Sequence, residues 1–191
     1  MEPDPILFDI PESFESERLL IRAPLPNDGR QVNEAVRESI DELRPWMPWA
    51  QSVPTAAQSE ANIRHARLHF LQRTDMRLLL FAKANGQLIG SSGLHQIDWR
   101  VRRFEIGYWL RTSCTGQGYM TEAVEAIAQF AIGQLAANRI VIRCDERNEK
   151  SSRVAERLGF KLEGIVRHDE LDVEGQPRST KIFAKVRGVE F

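Results

Sequence analysis

Cysteine is scarce in this sequence. Cys114 and Cys144 are the only two among 191 residues, which is too few for the disulfide framework of a small secreted protein. A reducing, cytoplasmic setting is therefore expected. Cys114 has no histidine near it in the sequence, so we expect it to be a passive small residue and not a nucleophile.

An excess of charge of either sign is also missing. The 26 lysines and arginines are balanced by 27 aspartates and glutamates, which gives a net charge of −1. Without a basic field, neither nucleic acid nor an anionic membrane is expected as a partner. No apolar run approaches the roughly 20 residues of a membrane span. The first residues are acids and prolines, which differ from the basic and apolar regions of a secretory signal.

What is present is a succession of strand and helix patterns. Alternating apolar residues, the turn Asn85-Gly86 and helical stripes predict seven strands and four helices. Helix caps are expected at Asn27 or Asp28 and at Ser59. Because no repeat or linker is evident, residues 1–191 are expected to form one mixed α/β domain with helices on both faces of the sheet, after an irregular arm over residues 1–14. The predicted strands cover residues 17–22, 77–84, 88–97, 103–110, 139–144, 160–166 and 179–186.

The most informative segment is the turn at residues 115–121, Thr-Gly-Gln-Gly-Tyr-Met-Thr, which follows a strand and opens a helix. Such a turn leaves backbone N–H groups unpaired at the positive end of the helix dipole, where a phosphate binds readily. The turn lacks the Lys-Ser/Thr ending of the nucleotide P-loop. It also lacks the third glycine of the dinucleotide-binding pattern, because Thr121 stands there.

Three stretches, taken in order, carry a resemblance to a known family. They are the segment 43–49, Leu-Arg-Pro-Trp-Met-Pro-Trp; the segment 105–110, Glu-Ile-Gly-Tyr-Trp-Leu, with the glycine turn after it; and Asn148-x-x-Ser151 with the later 158–160, Leu-Gly-Phe. The chain resembles the GNAT acetyltransferases of the RimJ/RimL type, which acetylate protein N-termini. The resemblance covers nearly the whole length and implies a twisted, mostly antiparallel seven-stranded sheet. Thr115 and Met120 depart from the family's glycine motif.

The resemblance implies acetyl-CoA as the cosubstrate and no metal. Backbone groups of Trp109, Leu110 and Arg111 would bind the pantetheine arm at a splay in the sheet. The Arg111 side chain would either reach a phosphate or be a solvated arginine at the end of a strand. Asn148 would lie near the pantetheine amide, and it also suits a helix cap. The residues implied to hold the pyrophosphate are Gly116, Gln117, Gly118, Tyr119, Met120 and Thr121.

Acetyl transfer from a thioester to an amine needs a neutral amine and a protonated leaving thiolate. The RimL-like pattern implies Ser151 as the acid, near the end of the pantetheine arm, and Glu170 as the base, which acts through a water. Glu105 competes as the base, because other GNAT branches use a carboxylate on that strand. A tyrosine acid is not expected, because Phe183 occupies the nearest late position.

Trp46, Trp49 and His95 are the candidates for the acceptor site, since aromatic faces suit an amine. His65 and His69 have the i, i+4 spacing of zinc ligands, but no third ligand is apparent. The expected acceptor is a primary amine, above all the N-terminal α-amine of a ribosomal protein. The alternatives are a small amine (an antibiotic, polyamine or amino acid) and a non-catalytic acyl-CoA-binding protein. A homodimer is expected from the family branch.

Overall fold

A computed structural model describes residues 4–191, which form one eight-stranded sheet with helices packed on both faces. The strand order is β1-β2-β3-β4-β5-β6-β8-β7, and every neighbouring pair is antiparallel except β5 and β6. The strands are β1 (Ser13–Glu15), β2 (Leu19–Arg22), β3 (Met76–Ala82), β4 (Leu88–Asp98), β5 (Arg103–Leu110), β6 (Arg139–Asp145), β7 (Lys161–Leu171) and β8 (Pro177–Val186). The predicted mixed sheet is confirmed, with one strand more than expected.

The additional strand is β1, at one edge of the sheet. It lies partly in the arm that the sequence predicted to be irregular, so that prediction is wrong for Ser13 and Phe14. The Phe14 ring stacks on Phe130, with ring centroids 4.4 Å apart, and this contact holds β1 against a helix. A short 3-10 turn, Pro5–Leu7, precedes β1. Residues 1–3 of the predicted arm lie outside the described residues.

Four α-helices form within residues 4–191. Two of them, α1 and α2, cover one face of the sheet with apolar residues such as Val36 and Ile63. The opposite face packs against α3 through Val124 and Ile127. We refer to these surfaces as the α1/α2 face and the α3/α4 face. The helices are α1 (Gly29–Leu43), α2 (Ala56–Gln72), α3 (Tyr119–Gln134) and α4 (Glu149–Arg157).

The start of α2 differs from the prediction. Thr55, and not Ser59, is its N-cap, and a capping box with Gln58 satisfies two terminal N–H groups. Ser59 is buried inside the helix and accepts a hydrogen bond from Asn33 Nδ2 at 3.1 Å. The cap position predicted before α1 holds Asp28, but its side chain makes no capping bond, because the carboxylate binds the Arg22 guanidinium at 2.7 Å.

The feature that positions the site is a divergence between β5 and β6, which we call the strand gap. The two parallel strands pair from Arg103 with Arg139 as far as Glu105 with Val141. Beyond that point β5 remains paired with β4 up to Leu110, and β6 remains paired with β8. Both strands thus stay in the sheet while they separate from each other, so backbone groups of β5 face an opening.

Candidate active site

The glycine turn forms a cradle of free amides at the start of α3. Gly116 and Gly118 have φ angles of 76° and 79°, a region that side-chain-bearing residues rarely adopt. Within residues 4–191, the backbone N–H groups of 116–121 have no hydrogen-bond acceptor. They point out of the N-terminus of a 16-residue helix, where the dipole favours an anion. Gln117, Tyr119, Met120 and Thr121 all belong to this cradle, as predicted from the sequence, and the cradle suits a pyrophosphate.

Arg18 holds this loop from a distant part of the chain, and sequence analysis did not reveal it. Its guanidinium donates to the Gln117 carbonyl at 3.0 Å and to Glu122 Oε2 at 2.6 Å. It also lies 4.3 Å from the centre of the Tyr119 ring. Glu122 sits in the first turn of α3 and would repel a phosphate, so the arginine neutralises that charge and holds the loop. Arg18 and the loop lie about a hundred residues apart in sequence, and no local pattern links them.

The three residues predicted to bind pantetheine lie at the end of β5 and directly after it, beside the strand gap, and their side chains differ in their contacts. The Trp109 side chain is buried against α1, and its indole N–H lacks a partner among the described residues. Leu110 packs with the core under α3. Arg111 Nε donates to Glu38 Oε2 at 2.5 Å, so Arg111 is not simply a solvated arginine at a strand end, and its contact with a phosphate stays a prediction. The predicted backbone role of these residues stays a prediction.

Ser151 lies in the first turn of α4, where it contacts the side chain of Tyr108. The Asn148 side chain caps α4 by accepting the Ser151 N–H at 3.1 Å, which confirms the helix-cap interpretation of Asn148. The Tyr108 hydroxyl lies 3.0 Å from Ser151 Oγ. Burial is the main cause that raises the pKa of Tyr108 to about 12. A protonated phenol therefore stands next to Ser151, the predicted acid, and the expectation that no tyrosine is the acid stays a prediction.

Glu105 is a carboxylate without a fixed partner at the start of the strand gap. The carboxylate makes no hydrogen bond or ion pair within residues 4–191. Burial raises the pKa of the Glu105 carboxyl, the nearby Glu170 charge adds to this effect, and Arg143 and His95 oppose it. A carboxylate that is partly desolvated and unpaired is a better proton acceptor than one held by arginines.

Glu170 has the opposite environment. Its carboxylate is ion-paired with Arg143, at 3.2 Å, and with Arg178. Arg143 also binds Asp169 at 2.8 Å. Two guanidinium groups bind the Glu170 carboxylate and occupy its lone pairs. The two carboxylates that the sequence left as competitors therefore differ in their surroundings, and Glu105 is the one free to take a proton.

The predicted acceptor residues lie on the α1/α2 side of the molecule. Trp46 and Trp49 follow α1, and His95 is on β4. Trp46 and Trp49 are 37% and 45% exposed, on the connection between α1 and α2. The Trp49 ring lies 6.1 Å from that of Trp109. His95 pairs with Glu105 across β4 and β5, and its Nδ1 lies 2.7 Å from Asp75 Oδ2. Whether the two tryptophans contact an acceptor stays a prediction.

Metal-binding clusters and membrane helices are absent from residues 4–191. No group of three or more His, Cys, Asp or Glu side chains there is arranged to hold a metal ion. Likewise, none of the helices formed by those residues has both the length and the apolar character that a membrane crossing needs.

Comparison with known proteins gives the site its context. The model of the acetyltransferase (GNAT) domain matches residues 18–161. The chain is similar to YdaF of Bacillus subtilis (strain 168), whose name proposes ribosomal N-acetyltransferase activity, with 32% identity over 162 residues, 84% of this chain and 86% of that protein. It is also similar to the ribosomal-protein-serine acetyltransferase of Escherichia coli (strain K12), with 29% identity over 156 residues, 81% of this chain and 86% of that protein.

Solved structures share the fold. RimL, a ribosomal L7/L12 alpha-N-protein acetyltransferase in complex with coenzyme A, superposes with a TM-score of 0.83 at 24% identity, over 95% of this chain and 98% of that one. The microcin C7 self-immunity acetyltransferase MccE, in complex with acetyl-CoA and AMP, gives a TM-score of 0.83 at 24% identity, over 89% and 93% of the two chains. The expected fold is thus confirmed. Because the family model spans most of the chain, this protein belongs to the GNAT family of N-acetyltransferases.

Proposed function

We propose that this enzyme transfers the acetyl group of acetyl-CoA to the N-terminal α-amine of a ribosomal protein, by direct attack within a ternary complex. Two relatives that match more than four fifths of the chain carry names for ribosomal acetylation, and this supports the acceptor class. Such an acceptor implies work in the cytoplasm. The observation that carries the proposal is the meeting of three features at one strand gap. These are the free amides of residues 116–121, the Tyr108–Ser151 hydroxyl pair and the unpaired Glu105 carboxylate.

The residues present fit acetyl-CoA. The amide cradle would hold the pyrophosphate, and the open edge of β5 beyond Glu105 would offer backbone groups to the amides of the pantetheine arm, as a sheet edge does to an added strand. Asn148 and Ser151 form the start of α4, which the Ser151–Tyr108 contact joins to β5. The cosubstrate would supply an activated acetyl thioester, and the chain orients it and excludes alternative geometries.

Glu105 is the proposed general base. Its carboxylate stands on the α1/α2 face where the gap opens, unpaired and partly buried, so it can accept a proton from the acceptor ammonium. Ser151 and Tyr108 stand on the α3/α4 face of the same gap, where a hydroxyl can donate to the departing thiolate. A base on one face and an acid on the other let the amine attack from one side while the thiolate leaves on the other.

Paired substitutions of the two carboxylates test the base. Glu105→Gln should lower kcat/KM by about 10²-fold or more, the lower end of what a general base supplies. Glu170→Gln is the matched change and should lower it by less than tenfold, because that carboxylate serves two arginines. The opposite ranking would assign the base to Glu170 and overturn our assignment.

A panel of acceptors tests the substrate class. Release of free thiol from acetyl-CoA should be measured with peptides that carry ribosomal-protein N-termini and with small amines such as polyamines, amino acids and aminoglycosides. Peptide-dependent turnover supports the proposal. Turnover with small amines alone would favour the small-molecule alternative. MccE shares the fold of this chain. Saturable binding of acetyl-CoA with no transfer to any amine would indicate an acyl-CoA-binding protein.

A homodimer remains part of the proposal. Every residue of the edge strand β7 is exposed, including the apolar Leu162 and Ile165, and a second copy would protect such an edge. Light scattering at micromolar concentration should give twice the monomer mass. A monomer mass under those conditions would exclude the homodimer.

A further inference from the structure

We propose that His95 and Asp75 form a proton relay that carries the proton from Glu105 to solvent. This inference rests on the proposed role of Glu105 as the base. A base that is partly buried must lose its proton before the next turnover, and a neighbouring group that takes the proton over provides a path to water. The strand that neighbours Glu105 places a histidine and a carboxylate in the required order.

The first link is the register of β4 and β5. His95 and Glu105 are direct partners in the antiparallel pair, so their side chains share the α1/α2 face with Cβ atoms about 4.5–5.5 Å apart. A glutamate side chain is long enough to reach an imidazole at that separation. The charge of His95 also acts on Glu105, since it opposes the rise in the Glu105 pKa.

The second link is the placement of the imidazole ring. A Cβ atom built on Gly93 would lie 3.2 Å from His95 Cε1, and one on Gly107 would lie 3.1 Å from Cδ2 and 3.5 Å from Nε2. The ring therefore lies flat over two glycines, one on each strand, in space that any side chain would occupy. Its Nε2 edge lies over β5, the strand that carries Glu105.

The third link is Asp75, which precedes β3 on the other side of the histidine. Its Oδ2 lies 2.7 Å from His95 Nδ1. When the Nδ1–H group donates a hydrogen bond to this carboxylate, Nε2 is the nitrogen left to accept a proton from Glu105. Asp75 stabilises the imidazolium that results, and this is the task of a carboxylate behind a catalytic histidine.

The end of the relay opens to water. The His95 and Asp75 side chains are 30% and 37% exposed. Asp75 lines a polar cavity of about 560 Å³, which also includes Asp98 and Arg103. A proton that reaches His95 can therefore pass to water at this partly exposed pair.

The charged neighbours are compatible with this transfer. Arg77 on β3 shares the face with His95 and bonds Asn62. Burial lowers the pKa of Arg77, and the Asp75 charge opposes that shift. On the Glu105 side the charged groups are Arg103, Arg143 and Glu170. The relay thus has charges of both signs around it, with Arg77 and Asp75 beside His95 and Arg103, Arg143 and Glu170 near Glu105.

The steps conserve the proton and need no other reactant. An N–H bond of the acceptor ammonium breaks as an O–H bond forms on Glu105. That O–H bond then breaks as an N–H bond forms at His95 Nε2. The imidazolium returns its proton to water, and Glu105 is again a carboxylate.

The simpler alternative is that the His95–Asp75 pair only ties β3 to β4. Chemical rescue separates the two roles. In His95→Ala, kcat should fall at least tenfold, less than the roughly 10²–10⁴-fold that a general base supplies, and it should rise with added imidazole until it saturates. If kcat of this variant stays the same at every imidazole concentration, the relay is excluded. Circular dichroism and the melting temperature establish that the variant is folded.

Asp75→Asn and Asp98→Asn form the matched pair, because both carboxylates line the same cavity. Asp75→Asn should lower kcat by at least tenfold with little change in the KM for acetyl-CoA, whereas Asp98→Asn should leave kcat within twofold of the parent. Equal effects of the two changes would overturn the relay.

Glu105→Gln distinguishes failure of the relay from failure of the proposed base. If Glu105→Gln is inactive while His95→Ala keeps the parental kcat, the base stands and the relay fails. If Glu105→Gln keeps full activity, the base fails, and the relay fails with it.

Discussion

The phenol oxygen of Tyr108 lies 3.0 Å from Ser151 Oγ and 3.1 Å from the carbonyl oxygen of the same serine. A phenol has one proton, so it donates either to the carbonyl or to the hydroxyl, and it accepts from the hydroxyl in the first case. The pKa of about 12 keeps that proton in place at physiological pH. The pair can therefore change its donor direction when the serine gives its proton to a thiolate.

Removal of the phenol hydroxyl should slow the chemical step without weakening cosubstrate binding. Tyr108→Phe deletes a neutral hydrogen bond worth about 1 kcal/mol, so we expect kcat to fall about fivefold. The KM for acetyl-CoA should stay within twofold. Steady-state kinetics with saturating acceptor measure both quantities.

A double-mutant cycle with Ser151→Ala shows whether the two hydroxyls act as a unit. If they do, the double variant should be no slower than Ser151→Ala alone, because residues in one network are not additive. Effects that multiply would mean that Tyr108 acts independently of the serine. Ser152→Ala is the control, since the Ser152 hydroxyl contacts Cys144 and the Asn148 carbonyl instead.

Substitution by alanine should change stability in opposite directions at Gly118 and Gly133, which lie at the two ends of α3. Gly118 has φ +79° at the N-cap of α3, where a Cβ costs about 1–2 kcal/mol. Gly118→Ala should lower stability by about that amount and raise the KM for acetyl-CoA, because the amide cradle must shift. Gly133 lies within α3, and a Cβ there meets no atom within 4 Å.

Gly133→Ala should therefore raise stability by about 0.5–1 kcal/mol, the gain expected for alanine over glycine inside a helix, with kinetics unchanged. Urea denaturation measures the stability of both variants, and initial rates at varied acetyl-CoA concentration measure their KM. An unchanged KM in Gly118→Ala would count against the cradle as the pyrophosphate site.

Local patterns predicted the parts of the site that are local in sequence. The glycine turn and the cap at Asn148 lie within short segments whose residue types determine their conformation, whereas the splay in the sheet was expected only from the family resemblance. The contacts that complete the site join distant segments. Arg18 meets Glu122 across 104 residues, and Tyr108 meets Ser151 across 43. No periodicity encodes such pairs, since they depend on how β2, β5, α3 and α4 are arranged in space.

The same limit explains the errors at individual elements. Ser59 has the residue type of a cap, but the burial that satisfies its hydroxyl with Asn33 comes from the packing of α1 on α2. Glu105 and Glu170 are the same residue type in the sequence. Only the fold shows that two arginines bind Glu170 and that none within residues 4–191 binds Glu105. A three-residue strand such as β1 has too few residues to show an alternation.

The cap of α4 should be replaceable by a carboxylate but not by alanine. Asn148→Ala removes the acceptor of the Ser151 N–H and should cost about 1 kcal/mol of stability. Asn148→Asp keeps an acceptor at the N-terminus, where a negative charge is favourable, and should cost less than half as much. Thermal and urea unfolding of both variants check this. Equal losses would indicate that the amide N–H₂ of Asn148, rather than its oxygen, stabilises the helix.

The raised pKa of Glu105 predicts a dependence of stability on pH that an isosteric amide should remove. Since the pKa in the folded state lies above the unfolded value near 4.5, folding favours the protonated form. That stabilisation is complete below the unfolded pKa and is lost as pH rises through the folded pKa. At pH 7–8 the enzyme thus carries the cost of a partly buried charge, whereas Glu105→Gln does not.

Glu105→Gln should therefore be more stable than the parent at pH 8, by about 1 kcal/mol or less because the carboxylate is only partly buried. The difference should shrink as pH falls towards 4.5. Over the same range, kcat/KM of the parent should decline on the acid side at a pH above the ordinary glutamate value, since the base must be unprotonated to act. Urea unfolding at several pH values measures the first effect, and initial rates measure the second. A gain in stability that is the same at every pH would mean that the carboxyl is not desolvated, and its claim to be the base would then lose its physical ground.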